Sequence, residues 1–148
     1  MATVAFYGDS VTEGRPMDIA QGDFLVQDFA KAAKTSDAPL DPRDASSITV
    51  LRYGMADVVK GIPPEITKWN VALRVAQIIA MGRTPVVVNI NQTESGIEKP
   101  TNAAIAGMVN IDVSGVAGTT VDGVHPTEPF HVALNQKIHD GLMGYVRR

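Results

Sequence analysis

Short apolar runs separated by polar turns organise this chain. Four stand out: TVAFY (3–7), SITVLRY (47–53), TPVVVNI (84–90) and MVNIDV (108–113). Each is brief, rich in β-branched side chains and soon followed by Gly, Asp, Asn or Ser. Runs that are apolar at nearly every position suit strands covered on both faces, as in a parallel sheet between helices.

Helical spacing lies between the runs. Gly22 to Ala33 carries Leu25, Phe29, Ala32 and Ala33 on one side. Residues 65–81 carry Ile66, Trp69, Leu73, Ala76 and Ala80, behind the start signal Pro63-Pro64 and before the stop at Gly82. That stripe predicts the core face of the helix, Trp69 included. A last helix spans about Glu128 to Val146, with Phe130, Ala133, Leu134, Ile138 and Leu142 inward and Thr127 as N-cap. His131 and His139 fall on this helix and are expected in solvent. Residues 34–46, with two prolines and several turn formers, read as a loop. The alternation predicts a three-layer α/β sandwich with a parallel sheet of about four strands, in one domain covering 1–148.

Composition narrows the chemistry. The absence of cysteine removes disulfides, thiol nucleophiles and thiolate metal sites. A net charge of −3 without any Lys/Arg-rich run argues against a nucleic-acid partner. No stretch has the length of a membrane-spanning helix, and MATVAFYG lacks the basic and apolar regions of a signal peptide. A cytoplasmic location is therefore the default expectation. Glu94, Asp112 and Asp122 show no ligand spacing with a histidine, so no metal is expected. The glycines after the first run match neither GxGxxG nor GxxxxGK[ST], which disfavours a nucleotide site and leaves a flavodoxin-like anion-binding domain as a weaker reading.

In parallel α/β sheets the functional crevice lies at the carboxyl ends of the strands. Gly8, Asp9 and Ser10 follow the first run, while Asp122 and His125 sit in VDGVHPTEP before the last helix. Serine is a weak nucleophile. It needs an imidazole to take its proton and a carboxylate to fix the imidazole's tautomer. Turn formation and helix capping are the simpler uses of the same residues. Asp9 is expected to bond turn amides, and Asp57 to cap the segment after its strand.

GDSVTEG resembles the first block, GDSxTxG, of the GDSL-type or SGNH hydrolases. DGVHPT resembles their last block, DxxHP. RYGMADV resembles their third, in which a strand ends in GxND, and AMGRTPVVVNI resembles the helix-to-strand passage after it. The blocks occur in the family's order and span most of the chain. The resemblance implies Ser10 as nucleophile, His125 as general base and Asp122 as its orienting acid. It also implies an oxyanion hole made from the Ser10 N–H, a glycine N–H and an asparagine side chain. Here the asparagine position holds Ala56, and the second block, expected within 34–46, shows neither strand nor glycine. The candidate oxyanion set is therefore Ser10, Gly54 and Asn91, with Asn89 as an alternative to Asn91.

The implied activity is a serine esterase for small acyl esters, with carbohydrate O-acetyl groups as a candidate substrate and no cofactor. The competing reading is a degenerate hydrolase scaffold used as a binding or structural module. A missing edge strand beyond the first would leave that flank bare, and a second copy of the chain is expected to cover it.

Overall fold

The computed structural model describes residues 1–147. Its centre is a parallel sheet of β1 (Thr3–Gly8), β2 (Leu25–Asp28), β3 (Ile48–Arg52) and β4 (Thr84–Val87), in spatial order β2-β1-β3-β4. The helices are α1 (Pro16–Ala20), α2 (Met55–Val59), α3 (Pro64–Ala80), α4 (Lys99–Ile105) and α5 (Glu128–Val146). This is the three-layer α/β fold that the alternating pattern predicts.

Alternation along the central strands divides the core in two. Val4, Phe6, Val50 and Val86 point to one face, against Ile19 of α1 and Phe130, Leu134, Ile138 and Leu142 of α5. Ala5, Tyr7, Leu51 and Val87 point to the other, against Val71 and Ile78 of α3. Both faces are covered, which is why the runs read as nearly continuous apolar sequence.

The structure corrects the sequence reading at several places. Gly22–Ala33 is not a helix. Left-handed backbone at Gln21 and Gly22 ends α1, and the chain then runs as β2 alongside β1, Thr3 opposite Leu25 to Phe6 opposite Asp28. The expected missing edge strand is thus present, upstream of the loop where its block was sought. It covers the flank for which a second copy was invoked, so that ground for an oligomer disappears.

The run 108–113 forms only one bridge, Ile111 to Val88. Asn110 N and Ile111 N still donate to Val87 O, and side chains supply further bonds. Asn110 Oδ1 accepts from Val87 N at 2.8 Å, and Asn89 Oδ1 accepts from Val113 N at 2.8 Å.

Helix α3 is where expected, but its buried face is Thr67, Val71, Arg74 and Ile78. The predicted stripe points outward, with Trp69 73% exposed and Ile66 and Leu73 also exposed. The 34–46 loop causes this inversion. It lies under α3 and presents backbone carbonyls that need donors: Arg74 bonds Asp37 O at 2.7 Å and Ala38 O at 2.8 Å. Thr67 Oγ1 donates to the buried Asp57 carboxylate at 2.7 Å, which also accepts from Ser36 N at 2.9 Å. Asp57 therefore ties loop, α2 and α3 together rather than only capping.

Helix α5 buries Phe130, Leu134, Ile138 and Leu142 as expected, while Ala133 is exposed. Thr127 is the N-cap residue without a side-chain cap bond; its hydroxyl meets that of Thr119. His131 and His139 are buried, not solvated. His139 Nε2 lies 2.7 Å from Asp23 Oδ2, joining α5 to the segment before β2.

Burial, with the nearby charges of Arg15 and Arg52, pushes His131 down from 6.5 to about 4. Its folded value lies below its unfolded one, so the unfolded chain takes up the extra proton between the two. Stability should rise with pH across that window and fall on acidification through it. Chemical denaturation of wild type and His131→Asn should show a difference in pH dependence of up to about 3 kcal/mol. Equal pH dependence in the two proteins contradicts this account of His131.

Candidate active site

The strand order places β1 and β3 side by side while the chain leaves them in opposite directions. A crevice is expected at the carboxyl end of such a pair. Gly8 closes β1 under tight constraint. A Cβ there would lie 2.7 Å from Arg52 O and 2.8 Å from Thr12 Oγ1. The backbone then turns, with Thr12 N and Glu13 N both donating to Asp9 O, and Ser10 stands half-buried at the rim.

Asp9 builds this turn and fastens it to its neighbour. Oδ1 accepts from Val11 N at 3.1 Å, and Oδ2 accepts from Ala56 N at 3.0 Å. Burial pushes its carboxyl above the ordinary value, while the Ala56 and Val11 amides and the Arg52 charge oppose that rise. Asp9 is thus structural, as expected, and its bond reaches from β1's turn to the start of α2.

Asp122 and His125 come from the loop before α5. Asp122 Oδ1 accepts from Val124 N at 3.0 Å and His125 N at 2.7 Å. Its Oδ2 lies 2.6 Å from His125 Nδ1. The turn reading and the catalytic reading thus coexist, since one oxygen shapes the loop and the other holds the ring. These same bonds, backbone first, lower the Asp122 carboxyl to about 2. A carboxylate beside Nδ1 fixes the proton there, which leaves Nε2 as an acceptor. Ser10 Oγ lies 2.9 Å from that Nε2. Arg15 bonds both Glu128 oxygens at 2.9 Å and links the chain after the serine turn to the start of α5.

Beside Ser10 and His125 lies an open cleft of about 290 Å³. Ala32, Ala33, Met55, Ala56, Val59 and Lys60 complete its walls. Ala33 follows β2 and adopts left-handed backbone with φ of 65°. It lies just before the 34–46 segment in which the resemblance called for a glycine.

Two candidate oxyanion residues sit elsewhere. Gly54 starts α2 with φ of 131°, and Ile90 packs so closely that a Cβ would lie 2.6 Å from its Cδ1. That packing accounts for the glycine, and Gly54 is not among the residues lining the cleft. Asn91 is buried beside Asp9 and Arg52, and its Nδ2 donates to Gln92 O at 2.9 Å. Asn89 is committed to Asp112 and Val113. Sequence reasoning missed Ala32, Ala33, Val59 and Lys60 as cleft residues. The one local signal was Ala56 itself, since Lys60 lies four residues on and returns to the same side of a helix.

No family model matches the sequence, and no curated protein matches it. Solved structures do. A carbohydrate esterase family 3 structure from Talaromyces cellulolyticus superposes with TM-score 0.79 at 18% identity, covering 99% of each chain. Esterase EstA from Pseudoalteromonas sp., inhibited by monoethylphosphonate, gives 0.75 at 16% identity over 100% of each chain. A lipase/acylhydrolase from Enterococcus faecalis gives 0.73 at 15% identity, covering 98% of this chain and 97% of the other. The chain has the fold of the GDSL-type, or SGNH, hydrolases.

Asp9→Asn swaps one acceptor oxygen for an amide that must face a backbone N–H. It should cost about 2–3 kcal/mol of stability in chemical denaturation. A variant as stable as wild type would show that Asp9 does not hold the turn.

Proposed function

We propose that the protein is a serine esterase acting on small acyl esters. The observation that carries this reading is the continuous line from Ser10 Oγ through His125 to Asp122, at 2.9 Å and 2.6 Å. Ser10 attacks the ester carbonyl while His125 Nε2 takes its proton. The imidazolium then returns that proton to the departing alcohol, leaving an acyl group on Ser10. Water, deprotonated by His125, attacks the acyl carbon and releases the acid and free Ser10. Asp122 keeps the ring oriented and offsets its charge. The Ser10 N–H is one donor to the oxyanion. No cofactor takes part in these steps.

The cleft sets the acyl group. Walls of alanine, methionine and valine in about 290 Å³ suit a short apolar acyl chain such as acetyl. The alcohol side has a different character. A neighbouring groove is lined by Gln92, Thr93, Glu94, Gly118, Thr119 and Thr120. Glu94 N donates to Gly123 O, which keeps that groove against the Asp122 loop. Its hydroxyls and amides suit an alcohol rich in hydroxyl groups, and carbohydrate O-acetyl esters are the proposed substrate class. The structural likeness to a carbohydrate esterase supports the same choice.

The second reading, a catalytically weak scaffold used for binding, is favoured by Ala56. Loss of one oxyanion donor costs on the order of 10²–10³ in rate.

Turnover of p-nitrophenyl acetate separates the two. Ser10→Ala should lower kcat by about 10³-fold or more, and Asp122→Asn by about 10²–10⁴-fold. With its carboxyl held at about 2, Asp122 stays ionised through any practical assay range. A protonated imidazole cannot accept the serine proton, so the proposed mechanism needs His125 in its neutral form. Equal turnover by wild type and Ser10→Ala, or none by folded wild type, would sink the esterase reading.

A further inference from the structure

We infer that Lys60 stabilises the oxyanion at this site, in place of the side chain that Ala56 lacks. The inference rests on the esterase reading above. Ala56 belongs to α2 and Lys60 directly follows it as the C-cap residue. Four residues apart on a helical turn, the two face the same way, and both line the cleft with Ser10 and His125. Ala56 has no side-chain donor. Lys60 brings the only ammonium to a cleft otherwise walled by Ala32, Ala33, Met55 and Val59.

The ammonium is held in place. Lys60 Nζ donates to Ala33 O at 2.6 Å, across the cleft's edge from α2 to the turn after β2. An ammonium has three N–H groups, and this bond uses one. No ion pair among the described residues involves Lys60, so its charge is uncommitted. A surface lysine serving only solubility has no need to fold back on a backbone carbonyl beside a nucleophile.

The chemistry fits that placement. As Ser10 adds to the ester carbonyl, the carbonyl π electrons move onto oxygen and a full negative charge develops. The Ser10 N–H meets that oxygen from one side, and Lys60 supplies positive charge from the α2 side. Lys60 is exposed, so water screens part of this charge, and its remaining N–H groups carry the interaction with the oxyanion. The benefit grows with the developing charge, so it falls on kcat rather than KM.

Steady-state kinetics of Lys60→Met on p-nitrophenyl acetate tests this. The expected result is a kcat lowered about 10²-fold with KM changed less than about threefold. The melting temperature should move by no more than a few degrees, because the lysine and its bond to Ala33 O are at the surface. Adding Ala56→Asn to Lys60→Met should recover at least about tenfold in kcat. The asparagine restores an oxyanion donor but cannot restore the clamp on Ala33, so recovery separates charge stabilisation from support of the turn. Unchanged kcat in Lys60→Met, a loss confined to KM, or no recovery in the double variant overturns the inference. Wild-type turnover that depends on Ser10 but not on Lys60 would leave the esterase reading standing alone. Absence of Ser10-dependent turnover in wild type would remove both.

Discussion

A buried carboxylate, Asp9, holds the working end of this sheet together. β1 and β3 are hydrogen-bonded neighbours, but their exits diverge, one into the Ser10 turn and the other into α2. Arg52 of β3 reaches Val11 O at 3.4 Å, and a shorter link fixes these exits relative to one another. Asp9 does so by accepting from Val11 N with one oxygen and from Ala56 N with the other. The Ser10 turn and the helix start that walls the cleft thereby become one unit. Burying a carboxylate is costly, and satisfied hydrogen bonds offset that cost. Gly8 and Gly54 allow the close approach the arrangement needs, since a side chain at either would strike Arg52 O or Ile90.

The second half of the site is assembled separately and docked by α5. The Asp122 loop is shaped by its own carboxylate before any substrate arrives, so His125 needs no reorganisation to meet Ser10. The Arg15–Glu128 pair and the apolar stripe of α5 set where that loop sits. The proposed catalysis draws on this preorganisation.

The sequence was most readable where burial and periodicity agree. β1, β3 and α5 follow apolar patterns with one dominant buried environment. The two end motifs could be placed because their residues fall at the junctions of those elements. β2 was hidden because a four-residue edge strand, with Leu25 exposed, carries no clear period of two. Its Leu25–Phe29 spacing also imitates a helix. α3 misled for the opposite reason. Its strongest apolar stripe faces out, because an underlying loop draws Arg74 and Thr67 inward through hydrogen bonds that no local pattern records. The run 108–113 forms only a bridge, where asparagine side chains add to a few backbone bonds. Lys60 could not be placed from spacing alone, since its proposed role depends on Ala33, 27 residues away and on a different strand's exit.

The central claim is that Ser10 is a nucleophile primed by His125. Incubation with a fluorophosphonate followed by intact-mass and peptide mass spectrometry tests it most directly, because reagent and protein form a stable adduct irrespective of the natural substrate. The account predicts one adduct per chain, on the peptide carrying Ser10, and loss of that adduct in His125→Ala. Folded wild-type protein that takes up no label, or takes it up on another residue, would contradict it.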